Sequence, residues 1–231
     1  MNKMKLSNSL KVSADELEHH EPITDAQEEA FQKWKQGYNL ILSGSAGTGK
    51  TFIAMYLALK ELYDKPELYR ELVIIRSIVP TREIGFLPGD EDDKKQAYTV
   101  PYQQICLDLF GYEQAWPKLV SQKKIRFEST SFIRGSTFDN AIVLVDEMQN
   151  CNFHELDSII TRVGEDCRII FSGDYNQTDF TREDEKSGII KFLAIVEQMR
   201  FFSTINFMWE DIIRSDLVRD YIMTKEMLKI R

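Results

Sequence analysis

The sequence predicts one α/β domain with a mainly parallel sheet and helices on both faces of that sheet. Apolar runs of strand length alternate along the chain with segments of helical periodicity, which is the pattern of parallel sheets. Two of the apolar runs end in polar loops, and ligands bind to such sheets at the ends of the strands. We therefore expect a ligand site where these two loops meet.

The first polar loop follows the apolar run 40–42 and has the phosphate-binding pattern G-x-x-x-x-G-K-T. Its residues are Gly44, Ser45, Ala46, Gly47, Thr48, Gly49, Lys50 and Thr51. The glycines allow backbone N–H groups to surround phosphate oxygens, and a helix opening at Gly49 adds the positive end of its dipole. Lys50 is expected to reach the β- and γ-phosphates, and the Thr51 hydroxyl to coordinate Mg²⁺. The apolar segment 52–59 predicts the helix that must follow such a loop.

The second polar loop follows the apolar run 141–145 and begins with two adjacent carboxylates, Asp146 and Glu147. This arrangement has the form of a Walker B element. We expect Asp146 to hold Mg²⁺ through water, and Glu147 to orient or deprotonate the water that attacks the γ-phosphate.

Other elements follow from capping and periodicity. Thr24 with Gln27, and Asn152 with Glu155, have the capping-box spacing that begins a helix. Strands are predicted at 72–76, 168–172 and 204–208, and further helices at 187–199 and 216–228. Residues 1–21 are expected to be a flexible leader, and residues 22–231 a single domain.

Two segments between the motifs are harder to interpret. Residues 77–99 contain Pro and Gly and a charged run, so we expect a long loop there and a helix that starts at Pro101. A basic stretch with interleaved aromatic residues follows and includes Lys123, Lys124 and Arg126. Such a stretch is either a solvated face or a site for single-stranded nucleic acid.

Composition narrows the function classes. The chain has 231 residues and a formal net charge of −8, so any nucleic-acid contact must come from a local basic patch. Its three cysteines lack the spacing of a zinc site and fit a reducing cytosol. No apolar run approaches the length of a membrane span, so we expect a cytoplasmic protein that does not contact membranes.

Beyond the two loops, the chain resembles the PhoH family, the phosphate-starvation-inducible ATPases. The motifs that carry this resemblance lie at 83–90, 134–137, 146–150, 161–164 and 172–177. The family is similar to the first motor domain of superfamily 1 helicases. The resemblance therefore implies a RecA-like P-loop NTPase core, hydrolysis of ATP with Mg²⁺, and RNA or single-stranded DNA as a partner. Met148 stands where the family has Ala, and the compact length is similar to phage-encoded members, which would act in the host cytoplasm.

The resemblance also assigns roles to single residues. Gln27 either caps its own helix or pairs with the edge of adenine, as a glutamine does at this place in superfamily 1 helicases. Independently of the resemblance, the position of Gln177 after the predicted strand 168–172 predicts that it touches the γ-phosphate or its water. In a two-domain helicase the second motor domain supplies an arginine to the phosphates, and we expect no such domain in 231 residues. We therefore expect a neighbouring subunit to supply Arg214 or Arg162 within a homo-oligomeric ring, such as a hexamer.

The sequence is compatible with two other functions. One is a nucleotide-gated assembly or regulatory protein with slow ATPase activity, and the other is a P-loop kinase acting on a small molecule. Glu147 directly after Asp146 suits activation of water, which argues against the kinase. The sequence has no N-K-x-D motif for reading guanine, which argues against a GTPase.

Overall fold

The computed structural model describes residues 11–77, 91–131, 133, 135, 137–174 and 183–228. The strands are β1 (Asn39–Gly44), β2 (Glu71–Arg76), β3 (Ile125–Ser129), β4 (Ala141–Asp146), β5 (Arg168–Gly173) and β6 (Phe202–Phe207). The α-helices are α1 (Asp25–Lys35), α2 (Lys50–Asp64), α3 (Glu91–Phe110), α4 (Ala115–Ser121), α5 (Phe153–Ile160), α6 (Glu183–Val196) and α7 (Asp216–Met227).

The six strands form one sheet in the order β3-β2-β4-β5-β1-β6. Every neighbouring pair is parallel, so all strands end at the same edge. β5 lies between β1, which leads into the phosphate loop, and β4, which ends at Asp146. The predicted α/β class with a parallel sheet is confirmed, and the two motif-bearing loops meet at one edge of the sheet.

Helices cover both faces of the sheet, as predicted. Alternate residues of a strand point to opposite faces, and Leu40 and Leu42 pack into the core layer that contains α1 to α4. Ile41, between them, belongs to the other core layer, which contains α5 and α6. None of the residues of α7 is buried.

The predicted helix caps are confirmed. The Thr24 hydroxyl accepts a hydrogen bond from the backbone N–H of Gln27 at 3.4 Å. Asn152 and Glu155 form a reciprocal capping box, with N···O distances of 3.0 and 2.8 Å. These bonds satisfy N–H groups that would otherwise lack a partner at the start of a helix.

The helix predicted to start at Pro101 begins earlier, at Glu91, and Pro101 lies inside it. A proline inside a helix costs about 3 kcal/mol. The helix nevertheless continues because it buries Tyr102, Cys106 and Leu109 completely, and full burial of a large apolar side chain contributes about 1.5–3 kcal/mol. The sequence pattern did not predict α4, and residues 78–90 of the predicted loop lie outside the described residues.

The described part of the predicted leader is not loose. Val12 is buried, and Ala14–Glu16 form a short 3-10 helix. The backbone N–H of Glu18 donates to the carbonyl of Leu109 at 2.8 Å. The sequence pattern did not show this packing, because it depends on residues far along the chain; for example, the Tyr63 hydroxyl donates to Val12 O at 3.3 Å. Within the described ranges, no helix is both long and apolar enough to cross a membrane.

Candidate nucleotide and metal site

The phosphate loop leaves β1 at Gly44, where the backbone has a φ of +136°. A Cβ at this position would lie 1.9 Å from the carbonyl oxygen of Phe207 in β6. That oxygen instead accepts a hydrogen bond from Ser45 N–H at 3.1 Å. A side chain at Gly44 would therefore separate the loop from β6. At the other end of the loop, α2 begins at Lys50, so its N-terminus opens toward the loop and favours an anion there.

Lys50 lies inside the loop and bonds to it. Its Nζ donates to the carbonyls of Gly44 at 2.9 Å and Ser45 at 2.7 Å. Burial lowers the pKa of Lys50, and the carboxylates of Asp174 and Glu147 oppose that shift. The Lys50 ammonium group is therefore held next to the phosphate loop, where it interacts with several carboxylates.

Thr51 and Asp146 meet across the site. The Thr51 hydroxyl donates to Asp146 Oδ1 at 2.9 Å, and Asp146 is 4% exposed. Burial raises the pKa of Asp146, and the neighbouring Glu147 acts in the same direction. A hydroxyl and a carboxylate beside a phosphate loop are the protein groups that hold Mg²⁺ in NTPases, so these two residues fit that ion.

Glu147 follows Asp146 directly but lies in a different environment. Its backbone is in the left-handed region with φ of +51°, and its side chain is half-buried. The side-chain amide of Gln149 donates to Glu147, and the carbonyl oxygen of the same amide accepts from Asp174 N–H at 3.1 Å. Gln149 therefore links Glu147 to the end of β5. Gln177, the predicted contact to the γ-phosphate or its water, lies outside the described residues.

A cavity of about 650 Å³ joins these groups. The loop residues 46–51, Asp146, Glu147 and Asp174 line one part of it. Helix α3 supplies a wall with Pro101, Gln104, Ile105 and Asp108. This wall was not predicted, because the sequence only showed that α3 has an apolar face.

Arg214 lines the same cavity, together with Ile213. Its Cγ lies 3.0 Å from where a Cβ of Gly47 would be, and the backbone N–H of Ile213 donates to Gly47 O at 3.0 Å. The structure therefore places Arg214 over the phosphate loop of its own chain. Supply of this arginine by a neighbouring subunit, like the homo-oligomeric ring, stays a prediction.

Helix α7 also contacts the loop, which the sequence did not indicate. Ser45 Oγ donates to the carboxylate of Glu226 at 3.0 Å, and the indole N–H of Trp209 donates to the same carboxylate. Glu226 thus lies close enough to Lys50 to oppose the fall in its pKa. Contacts of this kind join residues far apart in the chain, and no local pattern could have revealed them.

Gln27, which was predicted to pair with adenine, is buried against the phosphate loop. It is 2% exposed, and its Nε2 donates to Thr48 O at 3.4 Å while its Oε1 accepts from Ile23 N–H at 3.1 Å. Its backbone N–H bonds to Thr24, but its side chain bonds to Ile23 rather than to the N–H of Thr24, so the predicted capping box forms only in part. Its side chain supports the loop, and pairing with adenine stays a prediction.

The second candidate arginine, Arg162, does not line the cavity. Its guanidinium donates to the carbonyl and the hydroxyl of Ser158, both at 2.7 Å. It follows the C-terminal end of α5, where a cation is favourable because it interacts with the last carbonyls. The described structure gives it a capping contact within its own chain.

The predicted nucleic-acid residues lie away from the cavity. Lys123 and Lys124 precede β3 at the edge of the sheet where the strands begin, opposite the phosphate loop. Arg126 is paired with Glu71 at 2.8 Å and with Glu128 at 3.1 Å, and these bonds raise its pKa. The two carboxylates offset the charge of Arg126, so it is a poor candidate for phosphate contacts. Lys123 and Lys124 stay a prediction.

Comparison with known proteins points to one family. A family model described as PhoH-like protein matches residues 20–226. The PhoH-like protein of Synechocystis sp. is 31% identical over 183 residues, which cover 79% of this chain and 55% of the relative. Protein PhoH of Escherichia coli is 31% identical over 180 residues, which cover 77% of this chain and 50% of the relative.

Similarity to solved structures is more distant. The crystal structure of Pif1 helicase from Candida albicans is 15% identical with a TM-score of 0.45, and the match covers 91% of this chain and 44% of that chain. The chain spans about half the length of the Synechocystis and Escherichia coli relatives. The family model covers nearly all of the described residues, including the loop, the Asp146–Glu147 pair and Arg214. The chain belongs to the family of PhoH-like proteins, which are P-loop NTPases.

Proposed function

We propose that this protein hydrolyses ATP with Mg²⁺ in the cavity at the carboxyl edge of the sheet. The observation that carries the proposal is the meeting of Lys50, Thr51 and the Asp146–Glu147 pair in one cavity, with Thr51 bonded to Asp146 at 2.9 Å. Lys50 and Thr51 follow β1, and the Asp146–Glu147 pair lies at the end of β4. In the sheet, β5 separates these two strands. A phosphate loop alone would support only nucleotide binding, whereas the paired carboxylates support hydrolysis.

Each residue has a distinct role in this proposal. The loop N–H groups and Lys50 bind the phosphates, and Thr51 and Asp146 hold Mg²⁺, which neutralises charge developing on the phosphate oxygens when bound. Glu147 accepts the proton of the attacking water, because it is the half-buried carboxylate beside the metal-binding one. Arg214, from the same chain, stabilises the charge on the transferred phosphoryl group.

The second part of the proposal is that single-stranded RNA or DNA stimulates this hydrolysis. The similarity of the family to the first motor domain of superfamily 1 helicases supports it. The net charge of −8 requires that such strands bind at a restricted basic surface. Lys123 and Lys124 are candidates for that surface, although they lie at the opposite edge of the sheet from the nucleotide cavity.

Turnover of ATP with and without single-stranded RNA and DNA tests both parts. We expect release of free phosphate that requires Mg²⁺ and increases when a strand is added. Phosphate release without any response to strands would support the slow regulatory ATPase instead. Transfer of phosphate to a small-molecule acceptor without hydrolysis would contradict the proposal and indicate a kinase.

A further inference from the structure

Tyr102 in α3 is a buried side chain that reaches the metal site. It is 0% exposed, and its hydroxyl donates to Asp146 Oδ2 at 2.9 Å. Its ring packs against Trp116 and Phe127, with centroid distances of 6.3 and 5.8 Å. A buried tyrosine needs a partner for its hydroxyl, and here that partner is a carboxylate expected to bind Mg²⁺.

Each of the two carboxylate oxygens of Asp146 accepts a hydrogen bond from a hydroxyl group. Thr51 donates to Oδ1 and Tyr102 donates to Oδ2, both at 2.9 Å. These two bonds fix the carboxylate from opposite sides, so its orientation does not depend on a bound ion. Thr51 belongs to the phosphate loop, whereas Tyr102 belongs to α3. Helix α3 therefore holds the Oδ2 oxygen of Asp146 in place.

Arg76 supports Tyr102 from β2. It is the register partner of Asp146 on the neighbouring strand, and its guanidinium lies close enough to the Tyr102 hydroxyl to interact with it. The same guanidinium lies 5.8 Å from the centre of the Tyr98 ring, also in α3. A chain of polar contacts thus runs from Arg76 through Tyr102 and Asp146 to Thr51.

We propose that Tyr102, held by Arg76, is a positioning residue that orients Asp146 for Mg²⁺. The inference rests on the proposed function, since it assigns an outer partner to the metal site of that reaction. Residues that hydrogen-bond to a metal ligand determine its orientation, and their loss typically lowers metal affinity about 10- to 100-fold. Tyr102 also makes α3 part of the metal site, although α3 belongs to neither the phosphate loop nor the Walker B strand.

Tyr102→Phe tests this inference because it removes only the hydroxyl and keeps the packed ring. Tyr112→Phe is the matched control, since Tyr112 is also buried and donates to Glu16 at 3.4 Å, outside the cavity. Mn²⁺ would be titrated into each variant with ADP present and followed by electron paramagnetic resonance. ADP affinity without metal and the melting temperature would be measured alongside.

For Tyr102→Phe we expect metal affinity to fall about tenfold or more, while ADP affinity without metal stays within about twofold. Arg76→Gln should lower metal affinity in the same direction but less, because the Tyr102 hydroxyl remains. Tyr112→Phe should match the wild-type metal affinity. A melting temperature close to wild type would show that the fold is intact.

Unchanged metal affinity in Tyr102→Phe, with normal binding by the wild type, would overturn this inference and leave the proposed function standing. Equal loss of ADP affinity with and without metal would also overturn it, since that result indicates a purely structural role. If the wild type binds no metal–nucleotide complex, the proposed function fails and this inference fails with it.

Discussion

At the scale of single residues, the site separates the roles of two adjacent carboxylates. Asp146 ends β4 and is almost completely buried, with both oxygens bonded. Glu147 leaves the strand with a left-handed backbone at φ of +51°, a conformation that costs a non-glycine residue about 1–2 kcal/mol. The left-handed conformation ends the strand at Glu147 and leaves its side chain half-buried, where it can act on water.

Gly173 permits the contact that holds Glu147. A Cβ at Gly173 would lie 2.2 Å from Gln149 Oε1, so Gly173→Ala should displace Gln149 and release Glu147. We expect kcat to fall about tenfold, because a misplaced general base loses much of a contribution of about 10²–10⁴, with less change in KM. Steady-state kinetics would measure both constants.

A double-mutant cycle with Gln149→Ala controls for other effects of Gly173→Ala. If the effect acts through Gln149, Gly173→Ala should change kcat little in the Gln149→Ala background. Additive losses in the double variant would show that Gly173 acts by another route.

At the scale of elements, α3 completes the cavity that the two motif loops begin, and α7 contacts the phosphate loop. Strand ends supply the phosphate loop and the carboxylates, while α3 supplies a wall and the Tyr102 bond. Helix α7 adds Glu226, bonded to Ser45 of the loop at 3.0 Å. Neither helix contains a recognised nucleotide motif, so their contribution comes from where the fold places them.

Glu226 puts a carboxylate next to a loop that should bind phosphates. Glu226→Gln removes this like charge and keeps a side chain of similar shape. We expect ADP and ATP to bind about threefold tighter or more, and the gain to shrink at high salt because salt screens the repulsion. Calorimetric titration at two salt concentrations would measure the nucleotide affinity and its dependence on salt.

Asp220→Asn is the control for this experiment, because Asp220 lies on the same helix and is exposed. It should leave nucleotide affinity unchanged. Weaker nucleotide binding by Glu226→Gln would contradict the expectation and show that Glu226 supports the bound nucleotide.

At the scale of the whole molecule, the parallel sheet brings every polar strand end to one edge. The parallel sheet and its ligand-binding edge could be predicted from the sequence. Long apolar runs and a phosphate loop are local signals that specify the strands, their direction and the edge of the sheet where a ligand binds. The cap at Asn152 was predicted for the same reason. The start of α3 was not, since burial of Tyr102 and its neighbours overrides the local effect of Pro101.

Long-range contacts account for most of what the sequence missed in the site. Arg214 was predicted as a site residue, but its placement over its own loop depends on how the chain returns after β6. Likewise, the sequence places Arg126 in a basic stretch, but Glu71 on the neighbouring strand pairs with it. A sequence pattern contains the residue types but not these pairings.

The placement of Arg214 predicts the outcome of mixing two inactive variants. Lys50→Ala lacks the phosphate-binding lysine, and Arg214→Ala lacks an arginine of a type worth about 10³–10⁵ in rate in related NTPases. Because both residues line the cavity of one chain, we expect no recovery of activity when the two variants are mixed. ATP turnover at a fixed total protein concentration would measure this.

Recovery well above the sum of the two variants would contradict the placement within one chain. It would show instead that Arg214 acts on the cavity of a neighbouring subunit. Each variant alone and the wild type diluted to the same concentration are the controls.

The central claim is that Glu147 activates water for hydrolysis of ATP held by Lys50, and single-turnover hydrolysis of bound ATP tests it most directly. The experiment compares Glu147→Gln and Lys50→Ala with Glu113→Gln, an exposed control. We expect Glu147→Gln to bind ATP with an affinity close to wild type and to cleave it about 10²- to 10⁴-fold more slowly. Lys50→Ala should lose ATP binding, and Glu113→Gln should match the wild type. Cleavage by Glu147→Gln at the wild-type rate, or equal loss of ATP binding in Glu147→Gln and Lys50→Ala, would contradict the claim.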